Sequence, residues 1–254
     1  MSSLPILSLT LFIPILGAIV IMCMPADRHK PIKYVAAIST LLSLLLSLWT
    51  MINYNLTIGG MQFVERIPWI ADLGVNYALG VDGISLPLLL LTNLIGFSAV
   101  YASWHTAVRV KEYFALLLIL ITGVMGTFIT TDLFIFFLFY EVVVIPIYLL
   151  VIMFGSSKRV TKEYAGMKLT IYLLIGSAFL LVGLIALFIK AQGILGFPSM
   201  DIATLAQVNY PVGFQIFAYA LMAFGFGTLL SMFPFHAWSP DGYAGAPTAV
   251  SMIH

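Results

Sequence analysis

Across 254 residues, 62% of the side chains are apolar and 8% are charged, where an ordinary soluble domain carries roughly a quarter charged. So few charges cannot clothe a water-facing surface, and a formal net charge of +1 supplies no basic stripe to follow a phosphate backbone, which excludes nucleic acid as a partner. Cys23 is the single cysteine, so neither a disulfide framework nor a thiolate metal site can form, and its apolar surroundings suit a small residue facing lipid or a neighbouring helix.

A membrane-crossing helix needs about 20 mostly apolar residues to span a hydrocarbon core of about 30 Å. Seven stretches meet that requirement: 4–24, 35–52, 84–102, 113–130, 133–154, 167–189 and 214–232. The expected fold is an all-α integral membrane protein with about seven transmembrane helices. The first stretch lacks the basic leader and small-residue exit of a signal peptide, and reads as a retained helix. Between the second and third lies a long segment, 53–83, whose Gly59-Gly60 and Pro68-Trp69 predict a turn-rich or hairpin cover.

Lysine and arginine prefer the untranslocated side of a membrane. Arg28, Lys30, Lys33, Arg109, Lys111, Lys158, Arg159, Lys162 and Lys168 fall on one side, and Arg66 and Lys190 on the other. This nine-to-two split predicts an amino terminus on the outer side, where the loops carry Glu65, Asp72, Asp82, Asp132 and Asp201. The final run, Ala246-Pro-Thr-Ala-Val-Ser-Met-Ile-His254, reads as the opening turn of an eighth helix with proline at its start. Two helical turns cannot cross a bilayer, so the expectation is a truncated or split chain.

Three residues stand out for chemistry. Glu141 lies nine residues beyond Asp132 in the fifth stretch, about 14 Å deep at 1.5 Å per residue, near the bilayer centre. An ionised side chain there costs about 2.5–3.5 kcal/mol on insertion scales, and such residues face a protein interior and mark ion or proton paths. The bland alternative is a neutral, hydrogen-bonded structural carboxyl. A moving cation would switch Glu141 between proton acceptor and donor, and Pro146, just over one turn on, removes a backbone donor and frees a carbonyl.

Lys168 opens the sixth apolar stretch, about 9 Å inward from Lys162, with Tyr172 and Gly176 following on one face. It reads either as a relay lysine or as an anchor snorkelling to the interface. His236 sits in Met232-Phe-Pro-Phe-His-Ala-Trp-Ser-Pro-Asp241, where Pro234 and Pro240 forbid a continuous helix; imidazole titrates nearest neutrality, so His236 is a relay candidate or a packing group beside the break. The four histidines lack ligand spacing, and no nucleotide-loop, dinucleotide or CxxC pattern occurs, so no metal or bound cofactor is expected on this chain.

Several segments together resemble the antiporter-like M subunit, chain 4, of proton-pumping complex I, the NADH-quinone oxidoreductase family. They are Gly80-Val-Asp-Gly-Ile-Ser-Leu-Pro-Leu88, Tyr113-Phe-Ala-Leu116, Thr131-Asp-Leu-Phe-Ile-Phe-Phe-Leu-Phe-Tyr-Glu141 with Ile145-Pro146, and Pro234-Phe-His-Ala-Trp238 with Pro240-Asp241 and Ala246-Pro-Thr248. The resemblance implies a broken seventh helix and a chain about twice as long, built from two inverted helical units. Residues 1–112 would be the first three helices, with the outer segment at 53–83, and 113–254 most of the first antiporter-like unit. It also implies proton translocation coupled to electron transfer in other subunits, which hold NADH, flavin, iron-sulfur clusters and quinone. The partners implied are other membrane subunits and lipids, in an energy-transducing membrane such as the bacterial cell membrane.

In the family, the glutamate at the position of Glu141 pairs with a lysine of the broken helix, and a lysine at the position of Lys168 lies beside it. Here Leu229 stands where the pairing lysine belongs, Ser231 where a proline belongs, Tyr243 where histidine is usual and Gly245 where glutamate is usual. Either Lys168 substitutes as the partner of Glu141, or the chain is a divergent paralogue that keeps the fold without a working channel. A stand-alone cation/proton antiporter is a further reading.

Overall fold

The structure is a computed structural model describing residues 5–158 and 160–253; Arg159 and His254 lie outside the described residues. Among the described residues, seven helices are long and apolar enough to cross a membrane: α1 (Ile6–Cys23), α2 (His29–Asn53), α3 (Ser85–Ala102), α4 (Val110–Ile129), α5 (Leu133–Phe154), α6 (Lys162–Leu195) and α8 (Val212–Leu229). A short α7 (Ile202–Ala206) precedes α8, and α9 (Ser239–Gly245) and α10 (Thr248–Ile253) follow it. Each sequence-predicted span is matched by one of the seven. The 34 residues of α6 exceed the predicted 167–189, because at 1.5 Å per residue they reach about 51 Å and carry charged turns beyond the apolar core.

Seams between helices are made of small residues, which let backbones approach where hydrophobic burial gives no drive between helices in lipid. A Cβ on Gly176 would lie 2.9 Å from Cβ of Thr228, and one on Gly225 2.8 Å from Cβ of Leu180, which joins α6 to α8. Gly123 and Gly126 likewise receive Val143 and the Phe139 ring at the α4–α5 seam.

The 53–83 segment is a two-stranded antiparallel hairpin, β1 (Gln62–Ile70) and β2 (Val75–Val81). The hairpin turns through a 3-10 turn, Ala71–Leu73, into Gly74 at φ +62°, where a Cβ would also sit 2.2 Å from the carbonyl oxygen of Pro198. Only glycine meets both demands. The hairpin is tied to the helix ends beneath it. Pro5 offers no side-chain cap to α1, and the carboxylate of Glu65 on β1 takes its place, accepting from Leu7 N at 2.8 Å, Ser8 N at 3.1 Å and the Ser8 hydroxyl. Buried Asp132 caps α5, accepting from Phe134 N at 3.0 Å and Ile135 N at 3.2 Å, while its other oxygen accepts from Asn76 N of β2 at 2.9 Å.

The seventh span ends at Leu229, earlier than the predicted residue 232, by a backbone motif rather than at proline. Ser231 adopts φ +53°, its N–H bonds Thr228 O at 3.2 Å and Met232 N–H bonds Gly227 O at 2.8 Å. This 6→1 and 5→2 pair is a Schellman closure, here with serine in the left-handed position usually held by glycine. Past it, Phe233 to Trp238 pass through a cis Phe233-Pro234 bond and a 3-10 turn into α9, and α10 begins immediately after Pro247. The seventh helix is therefore broken.

Candidate functional site

Glu141 is in the middle of α5, half-buried, on the turn before Pro146, which the helix accommodates in its interior. Its Oε1 is buried and makes no hydrogen bond to any described protein atom. Its neighbour Tyr140 turns instead toward α6, donating to Leu173 O at 3.3 Å.

Leu229, at the last position of α8, lines an apolar cavity of about 420 Å³ between α3, α4, α5, α6, α8 and the end of α10. Leu88, Ile95, Val124, Val144 and Ile147 share the wall; Glu141 does not. The hydroxyl protons on that wall are committed elsewhere. Thr92 donates to Leu88 O at 2.8 Å, Thr127 to Val124 O at 2.8 Å and Tyr140 to Leu173 O. A space so lined has few groups to hold a water chain, since a buried water needs two to four polar partners.

Lys168 is not brought to Glu141. Its ammonium donates to Oδ2 of Asp241 at 2.7 Å and lies 5.5 Å from the centre of the Tyr164 ring. Asp241 belongs to α9, the segment beyond the break. Substitution of Lys168 for the family lysine as partner of Glu141 is thus not what the geometry shows. Neither is free snorkelling, since the lysine is held by a carboxylate. In the sequence Asp241 only flanks the break; the signal that finds its role is a lysine at the start of one helix and an acid on the segment folded back against it.

The α6–α9 seam explains one departure from the family pattern. Gly242 packs on Leu169, and a Cβ at Gly245 would come within 2.5 Å of Cβ of Ala165. A glutamate at 245 could enter only by pushing α9 away from α6. Tyr243, at another of the four departures, is exposed.

His236 is exposed on the 3-10 turn, its ring 5.7 Å from that of Phe233. Among the described residues no hydrogen bond or ion pair joins it to Glu141 or Lys168, so the three relay candidates are not one connected chain of protein groups. Among the described residues no set of three or more His, Cys, Asp or Glu side chains is placed to hold a metal. Pro146, Pro234 and Pro240 occupy the helix interior, the turn after the break and the first turn of α9 respectively.

Comparison with known proteins fits this geometry. Residues 130–254 match the family described as "NADH:quinone oxidoreductase/Mrp antiporter, TM". A NAD(P)H-quinone oxidoreductase chain 4 of Picosynechococcus sp. is 34% identical over 252 residues, covering 98% of this chain and 44% of the relative. The chain thus spans about half the length of the curated relatives it matches. Among solved structures, a chain of respiratory complex I from Thermus thermophilus aligns with a TM-score of 0.82 at 21% identity, over 96% of this chain and 48% of that one. A chain of the membrane-bound sulfane sulfur reductase, an archaeal respiratory membrane complex, aligns at 0.81 and 25% identity, over 98% and 49%. These matches show that the chain is homologous to chain 4 of the NAD(P)H-quinone oxidoreductases, with residues 130–254 matching the NADH:quinone oxidoreductase/Mrp antiporter membrane family.

Proposed function

We propose that this chain is a membrane subunit of a complex-I-type quinone oxidoreductase and contributes to proton translocation driven by electron transfer in other subunits. NAD(P)H, flavin, iron-sulfur clusters and quinone would be held by those subunits, and this chain would bind none of them. Its partners would be neighbouring membrane subunits and lipid. The observation that carries the reading is Glu141, a carboxyl held at mid-membrane depth with one buried oxygen free of any protein donor, in a chain homologous to chain 4 over 98% of its length. A charge at that depth is retained only against a cost of about 2.5–3.5 kcal/mol, which favours a role in moving protons.

Glu141, Lys168 and His236 are the proposed proton-handling groups, with Pro146 inside α5 and Pro234 and Pro240 in the segment that follows the broken helix. The nine-to-two distribution of cations in the sequence supports an amino terminus on the outer side of an energy-transducing membrane, as in the bacterial cell membrane. Glu141→Gln in the assembled complex tests the reading. Proton uptake per electron is expected to fall while the complex still assembles, and unchanged uptake would remove the role.

Leu229 favours a second reading. With an apolar side chain where the family has its lysine, the chain would be a non-pumping paralogue that fills a place in the same assembly. Under that reading neither Glu141→Gln nor Lys168→Met changes uptake. A free-standing cation/proton antiporter, the third reading, would purify without partners.

A further inference from the structure

We propose that Asp241 is the working counter-charge of Lys168. The ion pair on which this half-channel turns would then lie between α6 and the segment beyond the helix break, not between α5 and α8. The inference rests on the proton-translocating reading and gives that reading its charge pair.

Four observations converge on it. Leu229 removes the cation from α8, and its side chain faces an apolar cavity whose hydroxyl protons are spoken for. Glu141 has no protein donor for its buried oxygen. Lys168 and Asp241 meet at 2.7 Å, and with 22% and 28% of their side chains accessible they are shielded but still reachable by a proton. The segment carrying Asp241 is set in register with α6, because Gly242 seats on Leu169 and Gly245 on Ala165, which leaves residue 241 opposite residue 168. Gly245 therefore has a function of its own: its missing side chain is what brings α9 close enough for the pair.

The chemistry closes on itself. At rest the lysine is an ammonium and the aspartate a carboxylate. A proton arriving from the basic side is taken by the carboxylate, which ends the ion pair. The unpaired ammonium then gives its proton onward into the membrane, toward the carboxylate of Glu141. The neutral amine is recharged by the proton on Asp241 as the pair reforms. One proton enters, one leaves, and both side chains return to their starting forms.

The experiment is dye-monitored proton uptake per electron in proteoliposomes, using the full-length chain in its assembled complex, for Asp241→Asn, Asp241→Glu and Glu141→Gln. Expected is a fall for Asp241→Asn as large as that for Glu141→Gln, with Asp241→Glu, which keeps the charge, retaining most of the uptake. Full uptake with Asp241→Asn beside loss with Glu141→Gln would overturn the relocated pair while sparing the function. Full uptake with both would sink the function itself. Where Asp241→Asn fails to assemble, Lys168→Gln decides: assembly with lost uptake supports the pair, assembly with full uptake overturns it. Failure of both variants to assemble would show a structural clamp and also overturn it.

Discussion

The indole Nε1 of Trp238 donates to the main-chain oxygen of Thr228 across 2.9 Å, so the turn that interrupts the seventh spanning helix is pinned to the last turn of the helix it interrupts. Thr228 O also receives Ser231 N–H of the Schellman closure. Trp238 is buried, and the break is thereby fixed in shape.

Trp238→Phe keeps most of the buried ring and removes the donor. A net loss of about 1 kcal/mol in unfolding free energy is expected, the worth of a typical hydrogen bond, and hydrogen exchange should rise at Ser231 and Met232. Exchange there unchanged from the parent would show that the indole bond does not hold the break.

Leu229→Lys places an ammonium at the end of α8 against the apolar cavity. A lysine buried among apolar side chains in a membrane protein costs up to about 2.5–3.5 kcal/mol, so the variant should unfold earlier in a detergent-denaturation series than Leu229→Met, which conserves apolar volume. A lysine variant as stable as the parent would mean that a counter-charge reaches it, and would reinstate the family's pairing with Glu141.

Asp132 sets a pH dependence on the hairpin side. Burial pushes its pKa up, main-chain N–H donors from Asn76, Ile135 and Phe134 pull it down, and neighbouring Asp201 adds to the rise; the net direction is upward. The folded chain therefore holds this proton to higher pH than the unfolded chain. The stabilising contribution is complete below the unfolded value of about 3.9 and is lost as pH rises through the folded value. Asp132→Asn should flatten that slope in thermal unfolding scanned upward from about pH 4. Asp132→Ala leaves three N–H groups without their acceptor and should cost about 2–3 kcal/mol at any pH.

How much of this was legible in the sequence depends on the range of the interaction involved. Span count followed from apolar run length, and all seven runs became helices, because a backbone in hydrocarbon has to satisfy its own hydrogen bonds. A hairpin over 53–83 was among the expectations, but the residues that suggested it are not its turn: Gly59-Gly60 precedes β1, Pro68-Trp69 lies inside it, and the chain reverses at Ala71–Leu73 and Gly74. The end of α8 was misplaced by three residues, since proline marks where a helix cannot continue, whereas the chain had already turned at Ser231, a residue with no strong turn signature. The Lys168–Asp241 pair joins positions 73 residues apart, and no local pattern reports which of several acids a lysine will meet. The void beside Leu229 is also a product of packing among six helices, invisible from any one of them.

Glu65 has a bearing on how the chain is made. The first helix leaves the ribosome 58 residues ahead of the carboxylate that completes its leading turn. Until the hairpin has been synthesised and folded back, the leading amides of Leu7 and Ser8 depend on water or headgroups. The first helix is thus translated well before it is locked, and the ribbon between the second and third spans serves as the catch that holds it.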